Sequence, residues 1–267
     1  MGVIIAASDL TARSRAVAGR ALALAPRLGA RVLLIHCVGP GTAPREIERA
    51  RSALLAACEG GAAEVRVLTG APERVIPALC HDEDARLVVL GLHRPRPLRD
   101  ILGLTTMEKI VLRAPVPVLI AHTPPSRPYR TVLSSTDFAP ACAAALAAAA
   151  RIAAPDAEFH AIHALQLPLR EIFSPADITH SRAMTKAQAL CSAFLTRPGL
   201  PERLHAPEIV PGGVHEVLSF RLEELQPDLL TIGTHSGRDP EALGNYARDL
   251  MREPPTDVLV TKPPGGP

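Results

Sequence analysis

Val3-Ile4-Ile5-Ala6-Ala7-Ser8-Asp9, near the start of the chain, has a counterpart in Val132-Leu133-Ser134-Ser135-Thr136-Asp137. Both are short apolar runs that end in a hydroxyl residue and an acid. Further landmarks follow each of them in the same order. Ile35-His36 and Ile162-His163 each close an apolar run, and Arg74-Val75-Ile76 matches Glu216-Val217-Leu218. Val88-Val89-Leu90-Gly91-Leu92-His93 matches Leu230-Thr231-Ile232-Gly233-Thr234-His235, and Pro117-Val118-Leu119-Ile120 matches Asp257-Val258-Leu259-Val260. The offset is about 128 residues for the first two landmarks and about 140 for the rest. Such ordered self-similarity is the signature of a tandem repeat. The change in offset places an insertion of about a dozen residues after the second strand of the second copy.

Within the first copy, apolar runs alternate with helical periodicity. Strands are expected at 3–7, 31–38, 64–68, 87–90 and 116–120, and helices at 13–28, 44–58, 72–80 and 105–112. Asp9 or Thr11 is the expected N-cap of the first helix, and Gly29 its stop. The alanine run at 139–154 supplies the corresponding helix of the second copy. Leu190, Cys191 and Phe194 fall at helical spacing and are expected to form a core face. Continuous apolar strands separated by helices imply a parallel sheet covered on both faces. Right-handed crossovers then give an α/β fold with two doubly wound five-stranded domains of Rossmann type. The expected boundaries are 1–123 and 129–267, joined by a proline-rich linker at 124–128.

Composition narrows the partners. The 267 residues are 47% hydrophobic but only 3% aromatic, with no Trp, which argues against a ring-stacking platform for single-stranded nucleic acid. Twenty-nine basic residues against 27 acidic ones leave a net charge of +2, so no general attraction to nucleic acid or an anionic membrane is expected. Cys37, Cys58, Cys80, Cys142 and Cys191 are scattered without a CxxC pair and read as small buried hydrophobes of a cytoplasmic protein. The N-terminal residues run directly into a strand and are expected to carry no targeting signal. Met1-Gly2 invites a myristoylation reading, but Ala6 stands where that motif needs Ser or Thr.

Ligands of doubly wound folds bind beyond the carboxyl ends of the strands, where the winding reverses. In the first copy those ends carry Ser8-Asp9 and Gly91, the latter followed by a loop with Arg94, Arg96 and Arg99 and by Thr105-Thr106 opening a helix. A helix N-terminus and nearby arginines suit an anion. With Gly70-Ala71-Pro72 and the run Thr105-Thr106-Met107-Glu108-Lys109 before Ala114-Pro115-Val116-Pro117, the ordered set resembles the universal stress protein family across nearly all of both copies. The resemblance implies a fold like that of adenine nucleotide alpha hydrolases. It also implies an internal pseudo-dimer joined through the fifth strands at 116–120 and 257–260, able to associate further as a homodimer, and a role in stress response.

Members of that family bind ATP or have lost the ability. Binding members carry Gly, two residues, Gly, nine residues and then Gly-Ser/Thr after the fourth strand. Here Gly91 matches the first Gly, Arg94 and Leu104 replace the second and third with Gly103 displaced by one, and Thr105 matches the hydroxyl position. The resemblance assigns Asp9 to adenine or ribose and the backbone of Cys37 or Val38 to the base. It assigns Arg94 to phosphate, and Thr105 and Thr106 to donation from the helix N-terminus. ATP, with Mg as a companion, is the implied cofactor. The second copy offers a weaker cradle in Asp137, Gly233, Gly244 and Asn245, because Asp239 and Glu241 stand where the first copy has arginines and would repel a triphosphate.

Rival readings come from other classes. With both cradles degenerate, the chain is a partner-binding stress protein acting through dimerisation. As a nucleotidyl transferase it would need a phosphate loop, and no Walker A motif or nucleophile elbow occurs. No catalytic residue is assigned, and ATP hydrolysis is expected to be slow at most, for want of a general base. His36, His93, His163 and His235 fall at strand ends without metal-ligand spacing, so local hydrogen bonding is expected of them rather than a metal.

Overall fold

A computed structural model describes residues 2–58, 61–92, 104–167, 182–234 and 243–263. The first copy runs β1 (Gly2–Ala7), α1 (Ser14–Leu28), β2 (Ala30–Val38), α2 (Pro44–Ala57), β3 (Ala63–Thr69), α3 (Pro72–Asp82), β4 (Ala85–Gly91), α4 (Thr106–Arg113) and β5 (Val118–Ala121). The second runs β6 (Thr131–Ser135), α5 (Pro140–Ile152), β7 (Glu158–Leu165), α6 (Arg182–Leu195), β8 (Glu208–Pro211), α7 (Val214–Leu225), β9 (Leu229–Gly233), α8 (Asn245–Arg252) and β10 (Asp257–Thr261). The strand–helix alternation is that expected from the repeat. Residues 166–181 join β7 to α6 where only 39–43 join β2 to α2, which locates the inserted stretch. Among the described residues, no helix is long and apolar enough to cross a membrane.

The chain forms two compact units, residues 1–128 with 248–260, and residues 129–247 with 261–267. In the first unit the strand order is β3-β2-β1-β4-β5-β10, with β1 to β5 parallel and β10 antiparallel to β5. Winding outward from β1 to β3 and back to β4 puts α1 and α2 on one face and α3 and α4 on the other. It also puts the reversal between β1 and β4. Val3, Ile4 and Ile5 of β1 and Val88 and Val89 of β4 are at most 1% exposed, as strands covered on both faces must be. In the second unit the order β9-β6-β7-β8 is parallel throughout.

Local chemistry explains the helix ends. Gly29 adopts a left-handed conformation (φ 55°) and its N–H closes the last turn of α1, the expected stop. The start of α1 differs from expectation. Arg13 is the N-cap residue and makes no side-chain cap. Asp9 Oδ1 instead accepts from Thr11 N–H at 3.1 Å, and Thr11 Oγ1 from Arg13 N–H at 3.3 Å. The two candidates are spent in consecutive side-chain turns that lead up to the helix. On α6, Phe194 is buried but Leu190 is 43% exposed. Only Ala187 and Phe194, seven residues apart, meet the core there, so the helix buries a narrower stripe than its apolar spacing suggested.

The proline-rich linker does structural work. Arg20, buried on α1, donates through its guanidinium to the carbonyl oxygens of Pro124 and Arg127 at 2.8 Å each and to Thr123 Oγ1 at 2.8 Å. Its Nε lies 3.0 Å from Asp257 Oδ2, with the two side chains 2% and 0% exposed. Asp257 Oδ1 in turn accepts from His122 N–H, Thr123 N–H and Thr123 Oγ1 at 2.6–2.9 Å. Asp257 opens β10, which pairs with β5 through Val258–Ile120, Leu259–Leu119 and Val260–Val118. The Asp257→Ala variant leaves the Arg20 charge buried without its counterion, and should lower the unfolding free energy by about 3–5 kcal/mol in urea denaturation.

Candidate functional site

Both copies build the same loop after their first strand. Ser8 N–H donates to Ile35 O at 2.9 Å, and Thr136 N–H to Ile162 O at 3.0 Å. The hydroxyls then reach two residues ahead, Ser8 Oγ accepting from Leu10 N–H at 3.0 Å and Thr136 Oγ1 from Phe138 N–H at 2.9 Å. Leu10 (φ 59°) and Phe138 (φ 64°) both take the left-handed region that these turns require. His36 Nδ1 lies 2.8 Å from Ser8 O, and His163 Nδ1 lies 2.8 Å from Thr136 O. The two histidines pin the loop by local hydrogen bonds, as expected of them, whereas His93 and His235 lie outside the described residues.

These turns carry the expected acids. Asp9 leaves β1 exposed, at the point where the strand order reverses toward β4. Asp137 is half-buried, its Oδ1 accepting from Ala139 N–H at 2.9 Å and from the Cys142 thiol at 3.3 Å. Val38, at the end of β2, already accepts from Gly70 N–H at 2.9 Å, just as Leu165 accepts from Gly212 N–H at 3.1 Å in the second copy.

Gly91 ends β4 and Gly233 ends β9. A Cβ on Gly91 would meet Val17 Cγ2 of α1 at 3.1 Å, and one on Gly233 would meet Ala141 Cβ at 2.7 Å and backbone atoms of α5 at 3.0–3.1 Å. Close packing of α1 on the end of β4, and of α5 on the end of β9, therefore accounts for glycine at both positions. Gly244 and Asn245 are exposed at the start of α8, while Arg94 and Gly103 lie outside the described residues.

At the start of α4, Thr105 is the N-cap residue of a full capping box. Its Oγ1 accepts from Glu108 N–H at 3.2 Å, and its own N–H donates to Glu108 Oε2 at 2.6 Å. Glu108 is fully buried, and its carboxylate also accepts from Arg252 Nε at 3.0 Å. The amide N–H of Thr105 is thus committed within the protein and its hydroxyl oxygen occupied, whereas Thr106 is exposed at the first position of the helix.

The model of the universal stress protein family matches residues 1–122 and again 128–262. The chain belongs to the universal stress protein family. A universal stress protein from Archaeoglobus fulgidus shares the fold at 18% identity and a TM-score of 0.66, over 98% of this chain and 96% of that one. A functionally unknown protein from Pseudomonas aeruginosa does so at 19% identity and a TM-score of 0.60, over 98% and 92%. A universal stress protein from Archaeoglobus fulgidus in complex with dAMP covers 46% of this chain and 98% of its own, at 24% identity and a TM-score of 0.38. No curated protein sequence matches the chain.

The two universal stress protein repeats differ in what fills the space beside the first loop. In the first, a cavity of about 230 Å³ is bordered by Leu10, Thr11, Arg15, Ala53, Ala56 and Ala57. In the second, Phe138 stands at the position of Leu10, and its ring packs 5.5 Å from Phe194 and 5.1 Å from His163, centre to centre. Phe194 and Ala56 each stand one residue before the end of their helix, α6 and α2. The rings close in one repeat the hollow that alanines leave open in the other.

Burial raises the pKa of all five cysteine thiols above the usual value. Burial pushes Cys80 and Cys142 up to about 12, and burial with Glu73 nearby pushes Cys37 to about 11, so all three stay protonated at neutral pH. Sequence reasoning passed over the hydrogen-bonding role of Ser8 and Thr136, the capping role of Glu108, and Arg20. Spacing gave a signal for Glu108 alone, since Thr105-x-x-Glu108 is a capping-box pattern.

Thr105→Ala removes the cap and should cost about 0.5–2 kcal/mol of stability in thermal or urea unfolding. Phe194→Ala should cost about 3–5 kcal/mol in the same measurement, because it reopens the ring-filled space of the second repeat.

Proposed function

We propose that this tandem universal stress protein binds adenine nucleotide, with ATP the expected ligand, mainly in its first repeat, and acts in the cytoplasmic stress response by binding rather than by fast catalysis. The observation that carries this reading is the asymmetry beside the first loop. The first repeat keeps an exposed carboxylate, Asp9, at the reversal point, and the residues that follow it, Leu10 and Thr11, border a cavity against α2, where the second repeat packs Phe138 against Phe194. An exposed carboxylate at the end of β1 suits the hydroxyls of a ribose or the amino group of adenine. Thr106 and the amides of the first turn of α4 suit an anion. Thr105 serves better as the structural cap than as a phosphate donor, which moves its proposed role onto Thr106. Arg94 and Gly103 would complete the phosphate side of the site, and any Mg²⁺ would arrive with the phosphates. Asp137, Gly233, Gly244 and Asn245 form the lesser second site.

Titration calorimetry with ATP tests this. The parent protein should bind, and Asp9→Ala and Thr106→Ala should each weaken binding by about 1.5–3 kcal/mol, roughly 10- to 150-fold, as for loss of a hydrogen bond to a charged group. Ala56→Phe, which copies the filled second repeat, should weaken it as well. With no Trp and two Tyr, the protein has little ultraviolet absorbance of its own, so co-purified nucleotide would show directly in its spectrum. No heat with ATP, ADP or AMP and a nucleotide-free spectrum would favour the partner-binding reading instead.

A further inference from the structure

Glu158 and His160 stand two residues apart on β7 and so share one face of the strand. The segment ahead of β8 runs alongside. Phe159 N–H donates to Arg203 O at 3.2 Å, His205 N–H donates to Phe159 O at 2.8 Å, and Phe159 bridges Leu204 in parallel register. That register sets His205 beside His160 on the same face. The two imidazoles stack with centres 4.4 Å apart and planes 8° from parallel. His205 Nε2 lies 3.3 Å from Glu158 Oε2, and one ligand atom from each of the three side chains falls within 4.8 Å of the others.

We propose that Glu158, His160 and His205 form a binding site for a divalent transition-metal ion of the zinc type. Two imidazoles and a carboxylate are a donor set that zinc accepts, with water in the fourth position. Zinc bonds of about 2.0–2.2 Å in a tetrahedron put neighbouring ligand atoms roughly 3.3–3.5 Å apart. The Glu158–His205 pair already stands at 3.3 Å; because a metal lies in the plane of each imidazole it binds, the parallel stack must open, by rotation of the His205 ring toward His160 together with a rotation of Glu158, side chains that are 51% and 50% exposed. His160, half-buried on the strand, is the fixed member.

The surrounding charges permit the ion. Arg203, 3.4 Å from the other Glu158 oxygen, is 54% exposed and its pairing is of the weak surface kind. Arg221 is held by Glu208 and Glu224. The donor set is particular to the second repeat. Arg31 takes the place of Glu158 in the first, since it pairs with Val3 in β1 as Glu158 pairs with Thr131 in β6. Arg31 there forms an ion pair with Glu64 at 2.6 Å, and Leu33 takes the place of His160.

The test is zinc titration of the untagged full chain after chelator treatment, read by calorimetry. One Zn²⁺ should bind in the parent protein and in His81→Ala, which removes an exposed histidine elsewhere. Binding should weaken at least about tenfold in His160→Ala and in His205→Gln. Histidine proton spectra of the parent chain keep the question open to test even if a variant fails to fold. Paramagnetic Co²⁺ should broaden the His160 and His205 ring signals before those of the other eight histidines. No zinc binding in the parent, parent-like affinity in both variants, or broadening spread evenly over all ten histidines would overturn the proposal.

Discussion

A buried ion pair holds the first unit together. Arg20 sits on α1 and Asp257 at the start of β10, almost at opposite ends of the chain. Neither charge can remain away from water unless its partner and hydrogen bonds are in place. The structure supplies both. The Pro-rich stretch after β5 turns its carbonyl oxygens onto the guanidinium, while the amides of His122 and Thr123 meet the carboxylate. The arrangement fixes the path of residues 122–127 and the seat of β10 on β5. A segment whose composition suggests a passive spacer is thereby a determinant of the fold.

A second constraint operates at the end of the first strand of each repeat. Ser8 and Thr136 each lock a residue in left-handed backbone and receive a histidine on their carbonyl oxygen. This skeleton is the same in both copies, so their difference lies in side-chain volume. Leu10 with Ala56 leaves a hollow, and Phe138 with Phe194 fills it. A duplicated fold can in this way leave a cavity in one repeat and pack rings in the other, with the hydrogen bonds of this loop unchanged.

The glycines and threonines that suggest a phosphate cradle are read differently once packing is known. Gly91 and Gly233 admit the helices that follow β1 and β6, and Thr105 is held by Glu108, which Arg252 also engages. Motif positions of this kind serve two masters. A residue that stabilises the frame is a poor marker of ligand chemistry, whereas Thr106 is exposed and Asp9, though one oxygen accepts from Thr11 N–H, keeps its carboxylate at the surface.

The sequence by itself determined the repeat, the alternation of strand and helix, and the family. Those features depend on periodicity and order along the chain, which local composition records. It also offered candidate residues, of which Asp9 and Thr106 are exposed and Thr105 is committed to a cap. What it could not settle was which side chains meet. Arg20 reaches Asp257 across most of the chain, Phe138 finds Phe194 across an insertion, and His205 comes beside His160 only through the parallel register of two neighbouring segments. Such encounters depend on strand order and on which face a residue occupies, and both are set by the packed sheet rather than by any stretch of residues read alone.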